Sequence, residues 1–312
     1  MSYSYYDPEF SELVPHRRED VHKGECGRVG VFAGSLSMMG AAVFSTMSAF
    51  RMGAGLVYLM TVPEALPSFN IMYPEVIVLP VESQNGVATA ASSKVVLDKV
   101  LAHRLDVVAI GPGLGEEKGT KESVRKILAS MNGITKVVLD ADGINAVSVA
   151  DIKRCPSDMI LTPHLGEFER LFGVPSGADQ KSRETAVVAA ANVTGKVVVL
   201  KGHNTTVSDG KSVYVNVSGN AGMATAGAGD VLTGVIASLL AQGVGVLDSA
   251  VLGVYLHGVA GDLAFDECGV GLIASDIIEL LPEALLYLSD EDEDHDDHDD
   301  GDLGGMHPHD FN

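Results

Sequence analysis

Short apolar runs alternate with helix-period segments along most of the chain. "RVGVFAG" (28–34), "GLVYLMTV" (55–62), "EVIVLPV" (75–81), "DVVAIG" (106–111), "KVVLDAD" (136–142), "DMILTP" (158–163) and "KVVVLKG" (196–202) predict strands. "GAAVFSTMSAFRMG" (40–53), "KESVRKILASM" (121–131) and "SRETAVVAAANVT" (182–194) predict helices. Stretches such as VVAI and VVVL are apolar at every position, the pattern of strands covered by helices on both faces. Strand, helix, strand in regular order predicts a mostly parallel sheet in an α/β fold. "TTVSDG" and "SVYVNVSG" predict an antiparallel hairpin turning at Asp209-Gly210. Helices dominate after residue 229, and no internal repeat is visible.

Two stretches need separate reading. "VLTGVIASLLAQGVGVLDSAVLGVYLHGVAG" (231–261) is apolar enough to suggest a membrane span, but Gln242, Asp248 and the glycines at 243 and 245 divide it. Each part is too short to span and reads as a buried helix, so no membrane association is expected. "DEDEDHDDHDDGDLGGMHPHDFN" (290–312) has little to bury and repels itself, which predicts a disordered, solubilising tail. Its four histidines offer at most weak divalent-ion binding. Residues 1–289 are then one folded domain, a length that suits a single large α/β unit.

The net charge of −21 lies largely in that tail; before residue 290 there are 31 acids against 21 bases. No basic stripe is present, so nucleic acid is excluded as a partner. Cys26, Cys155 and Cys268 are far apart and form no C-x-x-C pair, which argues against a disulfide framework or zinc site and suits a reducing cytosol. The N-terminus "MSYSYYDPEFSELVPHRRED" has acids where a signal peptide needs an apolar run, so a cytoplasmic location is expected.

Candidate chemistry gathers at the strand ends, where parallel α/β sheets bind their ligands. Five of them are glycine-rich or polar: Gly34-Ser35, "GPGLG" (111–115), "DADGIN" (140–145), "TPHLGE" (162–167) and "KGHNT" (201–205). To these is added "MATAGAGDVLTG" (223–234), a run of small residues leading through one carboxylate into an apolar helix. A helix start carries unpaired N–H groups and partial positive charge, and glycines let a phosphate approach them. Asp230 beside such a cradle fits a base for a hydroxyl attacking phosphorus; it fits equally a residue capping the helix. The residues alone leave both readings open. The Gly-Lys-Ser at 210–212 has Thr205 where a Walker loop needs glycine and sits at the predicted hairpin turn, and "GSLSMMG" lacks the G-x-G-x-x-G spacing, so neither a Walker loop nor a Rossmann fingerprint is present.

Taken in order, "HKGECGRVGVFAGS", "GAA", "GPGLG", "LDADGIN", "TPHLGEFERL", "VVLKGHNT" and "GMATAGAGDVLTG" resemble the ADP/ATP-dependent NAD(P)H-hydrate dehydratases over roughly residues 15–285. Two departures stand out: Leu165 replaces the proline frequent after the histidine of "TPH", and Ala226 and Ala228 replace residues of a GGTGD pattern. The resemblance implies a ribokinase-like three-layer fold, with helices on both faces of a mostly parallel sheet. It also implies a repair reaction. The C6 hydroxyl of hydrated NADH or NADPH is phosphorylated at the expense of ADP or ATP, and phosphate is then eliminated. ADP is the favoured donor, magnesium the cofactor and a homotetramer the assembly. A kinase that stops at the phosphorylated product, made from a vitamin precursor or a sugar, is the alternative on the same site.

The resemblance assigns roles residue by residue. Asp230 is the base and also contacts substrate. Gly227, Ala228 and Gly229 form the anion hole. Lys201, Gly202, His203, Asn204 and Thr205, with Gly229, fall on the nucleotide segment, and Lys201 offers charge to phosphate. Ala42, Gly113 and His164 line the hydrated coenzyme; packing, a tight turn and a structural histidine are their alternatives. Glu167 holds magnesium through water, or only charges a helix first turn. Asp140 and Asp142 can serve likewise, or Asp142 can cap a helix at 143–147. Lys23-Gly24 belongs to the opening motif and is expected near the cleft, without a role.

Overall fold

The computed structural model describes residues 3–175 and 179–290. The acidic tail from residue 291 lies outside the described residues. Twelve strands are present there: β1 (Ser4–Tyr5), β2 (Arg28–Phe32), β3 (Leu56–Thr61), β4 (Ile77–Pro80), β5 (Ser83–Gln84), β6 (Val87–Ala88), β7 (Val107–Ile110), β8 (Lys136–Leu139), β9 (Met159–Leu161), β10 (Val197–Leu200), β11 (Thr206–Ser208) and β12 (Ser212–Val215). The helices are α1 (Phe10–Leu13), α2 (Met39–Arg51), α3 (Leu66–Met72), α4 (Ser92–His103), α5 (Lys118–Ala129), α6 (Ala141–Asn145), α7 (Val149–Arg154), α8 (Leu165–Phe172), α9 (Gln180–Thr194), α10 (Ala228–Ala241), α11 (Val246–Cys268) and α12 (Ala274–Asp290).

Ten strands form one sheet in the order β1-β12-β11-β10-β9-β8-β7-β2-β3-β4, and β5-β6 form a separate ribbon. The run from β10 to β4 is parallel throughout; the expected hairpin β11-β12 supplies the antiparallel pairs. Strand β1 escapes sequence patterning. It is two residues long and exists only because Ser4 and Tyr5 find Ser212 and Val213.

All-apolar strands are explained by burial on both faces. Along β7, Val108 and Ile110 join a core shared with α4, α5, α7, α8 and α9, whereas Val107 and Ala109 join a second core under α2, α10 and α11. A third apolar cluster binds α10, α11 and α12 to one another. The divided apolar stretch is α10 followed by α11, as its polar residues predict. Helix α11 is long and apolar enough to cross a membrane by length and composition, but 56% of its apolar window is buried inside the protein.

The small residues of α2 have a specific use. A Cβ on Gly234 of α10 would lie 2.0 Å from Ser48 Oγ and 2.2 Å from the Ser45 carbonyl, so the glycine lets the two helices approach backbone to backbone. Ser45 Oγ also donates to the Asp230 carbonyl at 3.1 Å. The start of α10 is thereby held against α2.

Candidate active site

Because β2, β7, β8, β9 and β10 run parallel, their carboxyl ends share one edge, and the five strand ends singled out by sequence meet there. Their loops are tied to one another. Gly34 N–H donates to the Pro112 carbonyl at 2.8 Å, and Gly115 N–H donates to Asp142 Oδ2 at 2.8 Å. At Gly111 (φ +135°) a Cβ would sit 1.8 Å from the Asp140 carbonyl, so the loop after β7 can lie on the loop after β8 only as glycine.

Helix α10 opens at the same edge. Its N-cap is Gly227, at φ 94°, and no side chain caps the first turn. A Cβ there would meet the Phe44 ring at 2.3 Å. The capping alternative for Asp230 therefore fails: the residue lies in the first turn, and its carboxylate has no hydrogen bond or ion pair among the described residues. The amides of this turn are left to an external acceptor.

A buried charge cluster lies beside that turn. Asp140 is 1% exposed; its Oδ1 accepts from Lys201 Nζ at 2.5 Å and its Oδ2 from Thr233 Oγ1 at 2.7 Å. A Cβ on Gly229 would lie 3.3 Å from Lys201 Nζ, so the cation approaches the helix start where a side chain is missing. Burial alone would lower the Lys201 pKa, but the negative charges of Asp140, Glu167 and Asp230 outweigh it and hold the ammonium ion charged. Glu167 is pushed up by burial, against the pull of Lys201 and with the repulsion of Asp140. Asp230 is pushed up to about 7, first by burial and then by Asp140, with Lys201 opposing and Asp142 and Glu167 adding. A carboxylate with that affinity can take a proton near neutral pH and give it up again.

The chain is similar to known proteins over most of its length. A family model described as NAD(P)H-hydrate dehydratase matches residues 29–283. The chain is 38% identical over 278 residues to the ADP-dependent (S)-NAD(P)H-hydrate dehydratase of Neisseria meningitidis serogroup B, covering 86% of this chain and 88% of that protein. This chain is a member of the NAD(P)H-hydrate dehydratase family. It is 37% identical over 279 residues to the bifunctional NAD(P)H-hydrate repair enzyme Nnr of Pyrobaculum aerophilum, covering 89% of this chain but 54% of that one. The chain thus spans about half the length of the bifunctional relatives it matches. The Bacillus subtilis ADP/ATP-dependent NAD(P)H-hydrate dehydratase co-crystallized with ATP/Mg2+ superposes with a TM-score of 0.78 at 29% identity, covering 92% of this chain and 99% of that one. The fold is the ribokinase-like sandwich that the motifs imply.

Within the dehydratase family site, several expectations change. Ala42 is fully buried, with its methyl against Gly34. It sets the spacing of α2 on the first strand end and presents no surface to a coenzyme. Gly113 (φ +64°) is buried as well, where a Cβ would meet the Met38 carbonyl at 2.6 Å. His164 is the N-cap of α8: its Nδ1 accepts from Gly166 and Glu167 N–H at 3.0 and 3.3 Å, while its side chain stays 58% exposed. Glu167 completes a capping box by accepting the His164 N–H at 2.8 Å, a use beyond charging the first turn. Asp142 joins the loop after β7 to α6, which starts at Ala141, two residues ahead of the expected helix.

The nucleotide segment divides. Lys201 points into the charge cluster, its ammonium paired with Asp140 at 2.5 Å. Gly202 to Thr205 form a separate surface loop, closed by Thr205 Oγ1 donating to the Gly202 carbonyl at 2.9 Å, with Arg183 Nη1 on the His203 carbonyl. Lys23-Gly24 lies just ahead of β2, at the amino ends of the strands. That is the edge opposite the cleft, so the expectation for this pair is corrected.

Sequence reasoning missed two members. Thr233 fixes Asp140 from one helical turn beyond Asp230, a spacing visible in the sequence once α10 is assigned. His257 of α11 borders the start of α10; burial first, and then the Lys201 charge, lower its pKa to about 4, so the imidazole is neutral. Nothing in its apolar sequence surroundings marks it.

Proposed function

We propose that the chain catalyses ADP-dependent dehydration of (6S)-NAD(P)H hydrate, with ATP as the less favoured donor, and so restores the reduced coenzyme. The observation that carries this reading is the half-buried Asp230 carboxylate, held near pKa 7 in the first turn of a helix whose first amides are uncapped. Membership of the family supports the substrate, and the name of the Neisseria relative supports the donor.

In this mechanism Asp230 accepts the proton of the C6 hydroxyl as that oxygen attacks the terminal phosphorus of the nucleotide. The O–P bond forms while the bond to AMP breaks, and the amides around Gly227, Ala228 and Gly229 stabilise the transferring phosphoryl group. The ring nitrogen lone pair then expels phosphate, and loss of the neighbouring ring proton completes the reduced nicotinamide. Lys201 keeps Asp140 and Glu167 from raising the Asp230 pKa further. The loop from Gly202 to Thr205 holds the adenine nucleotide, and His164 meets the hydrated coenzyme with its exposed ring.

Among the described residues no group of three His, Cys, Asp or Glu side chains could hold a metal ion directly. Both Glu167 oxygens already lie on His164, one at 2.8 Å from its N–H and the other 3.4 Å from Nε2. Magnesium arriving with the nucleotide would be held by phosphate and water, with Glu167 reaching it through water, and would neutralise phosphate charge. We also infer a cytoplasmic location and a homotetramer, the latter testable by sedimentation.

The deciding assay supplies purified (6S)-NADH hydrate with ADP or ATP. The near-ultraviolet absorbance of reduced nicotinamide is expected to return in step with AMP or ADP formation, faster with ADP. Asp230→Asn lowers turnover at least ~100-fold, the scale of a lost base, with nucleotide affinity nearly unchanged. A phosphorylated alcohol without recovered NADH would instead establish a kinase.

A further inference from the structure

A cavity of about 530 Å³ opens at the amino edge of the sheet, opposite the cleft, with Arg28, Arg104 and Lys136 in its lining. Three cations around one cavity are unexpected in a chain this acidic. None of them is in an ion pair with a carboxylate among the described residues. Asp106 is the single acid in the lining, and its Oδ2 already accepts the Arg28 backbone N–H at 2.8 Å. Lys136 Nζ lies 3.5 Å from the Leu240 carbonyl, a long contact that leaves it donors to spare.

Arg104 supplies a second, independent observation. It ends α4 in the left-handed conformation, at φ 51° and ψ 52°. Glycine adopts that conformation freely and side chains resist it. A helix end needing only to turn is better served by glycine, so the arginine is there for its side chain. The remaining lining is mostly apolar, joined by Asn132 and Thr135. Leu240 and Ala241 are buried at the floor, while Leu101 and Ile134 are 63% and 83% exposed.

We propose that this cavity is a second binding site, for a small organic phosphate whose dianionic head lies among Arg28, Arg104 and Lys136 and whose apolar body rests on Leu101 and Ile134. Two guanidinium groups and an ammonium group match a phosphate in charge and donors. The exposed apolar side chains exclude a bare inorganic ion as the best fit.

The probe is phenyl phosphate, titrated into the full-length protein and followed on the methyl resonances of Leu101, Ile134 and Leu240. These methyls are remote from the cleft and do not report occupancy there. Saturable shifts are expected, while benzyl alcohol, which has the ring but no charge, gives none over the same range. Arg104→Gly relieves the backbone and leaves the thermal midpoint unchanged or higher, yet weakens binding at least tenfold. Lys136→Met weakens it comparably. Absence of saturable shifts, equal binding of benzyl alcohol, or undiminished affinity in either variant overturns the proposal.

Discussion

Replacing Asp230 with asparagine is expected to stabilise the fold at neutral and alkaline pH while abolishing most activity. In the unfolded chain this carboxyl titrates at its ordinary 3.8; in the folded protein it titrates at about 7, chiefly because burial and Asp140 oppose its charge. Each pKa unit corresponds to about 1.4 kcal/mol, so the ionised carboxylate costs the fold about 4 kcal/mol above pH 7. The sign follows from the raised value. The folded state binds the proton more tightly, so Asp230 favours folding below pH 3.8, and that contribution is lost as pH rises through about 7. Asparagine carries no charge and keeps the shape. The two proteins therefore have nearly equal stability at pH 4, diverge between pH 4 and pH 7, and run parallel above that. Four kcal/mol corresponds to about 6 °C in the unfolding midpoint for a chain of this size. Thermal unfolding of both proteins at half-unit pH intervals measures the gap. A gap that does not widen between pH 4 and 7, or an asparagine variant less stable at pH 8, refutes the assignment of Asp230 as a half-buried carboxylate of raised proton affinity.

The same titration sets the rate. Below pH 7 protonation removes the base, so kcat/KM is expected to fall about tenfold per pH unit; a flat profile down to pH 5 would move the base elsewhere. Lys201→Met leaves the Asp140 carboxyl, 1% exposed, without its cation. The expected loss is about 3–5 kcal/mol in denaturant unfolding, of which Asp140→Leu in the same chain recovers a large part. Gly234→Ala forces α10 from α2 at Ser45 and Ser48. An overpacked core of this kind loses about 1–3 kcal/mol, and because the displaced helix carries Asp230, kcat falls more than KM changes.

The strands and long helices were legible because burial on both faces leaves an unmistakable sequence pattern. Two features that sequence missed, one strand and one helix start, have their reason elsewhere in the chain. Strand β1 exists by pairing with β12, and α6 starts where Asp140 and Gly111 touch. Asp230 stood out by its setting among glycines, but its function as cap or base could not be decided from neighbours in sequence. The bare N-cap at Gly227 removes the capping reading. Lys201 shows the converse: its place in a motif suggested phosphate, and only the position of Asp140, sixty-one residues away, directs its charge inward.

By itself the sequence determined the α/β class, the order of the elements and the set of strand ends where chemistry gathers, because apolar periodicity and glycine placement act locally along the chain. The tertiary structure alone decided which of those residues are buried together, which carboxylates repel one another and which oxygens are already occupied. Charge and desolvation act through space, and the proton affinity of Asp230 depends on Asp140, Asp142, Glu167 and Lys201, contributed by three other segments of chain.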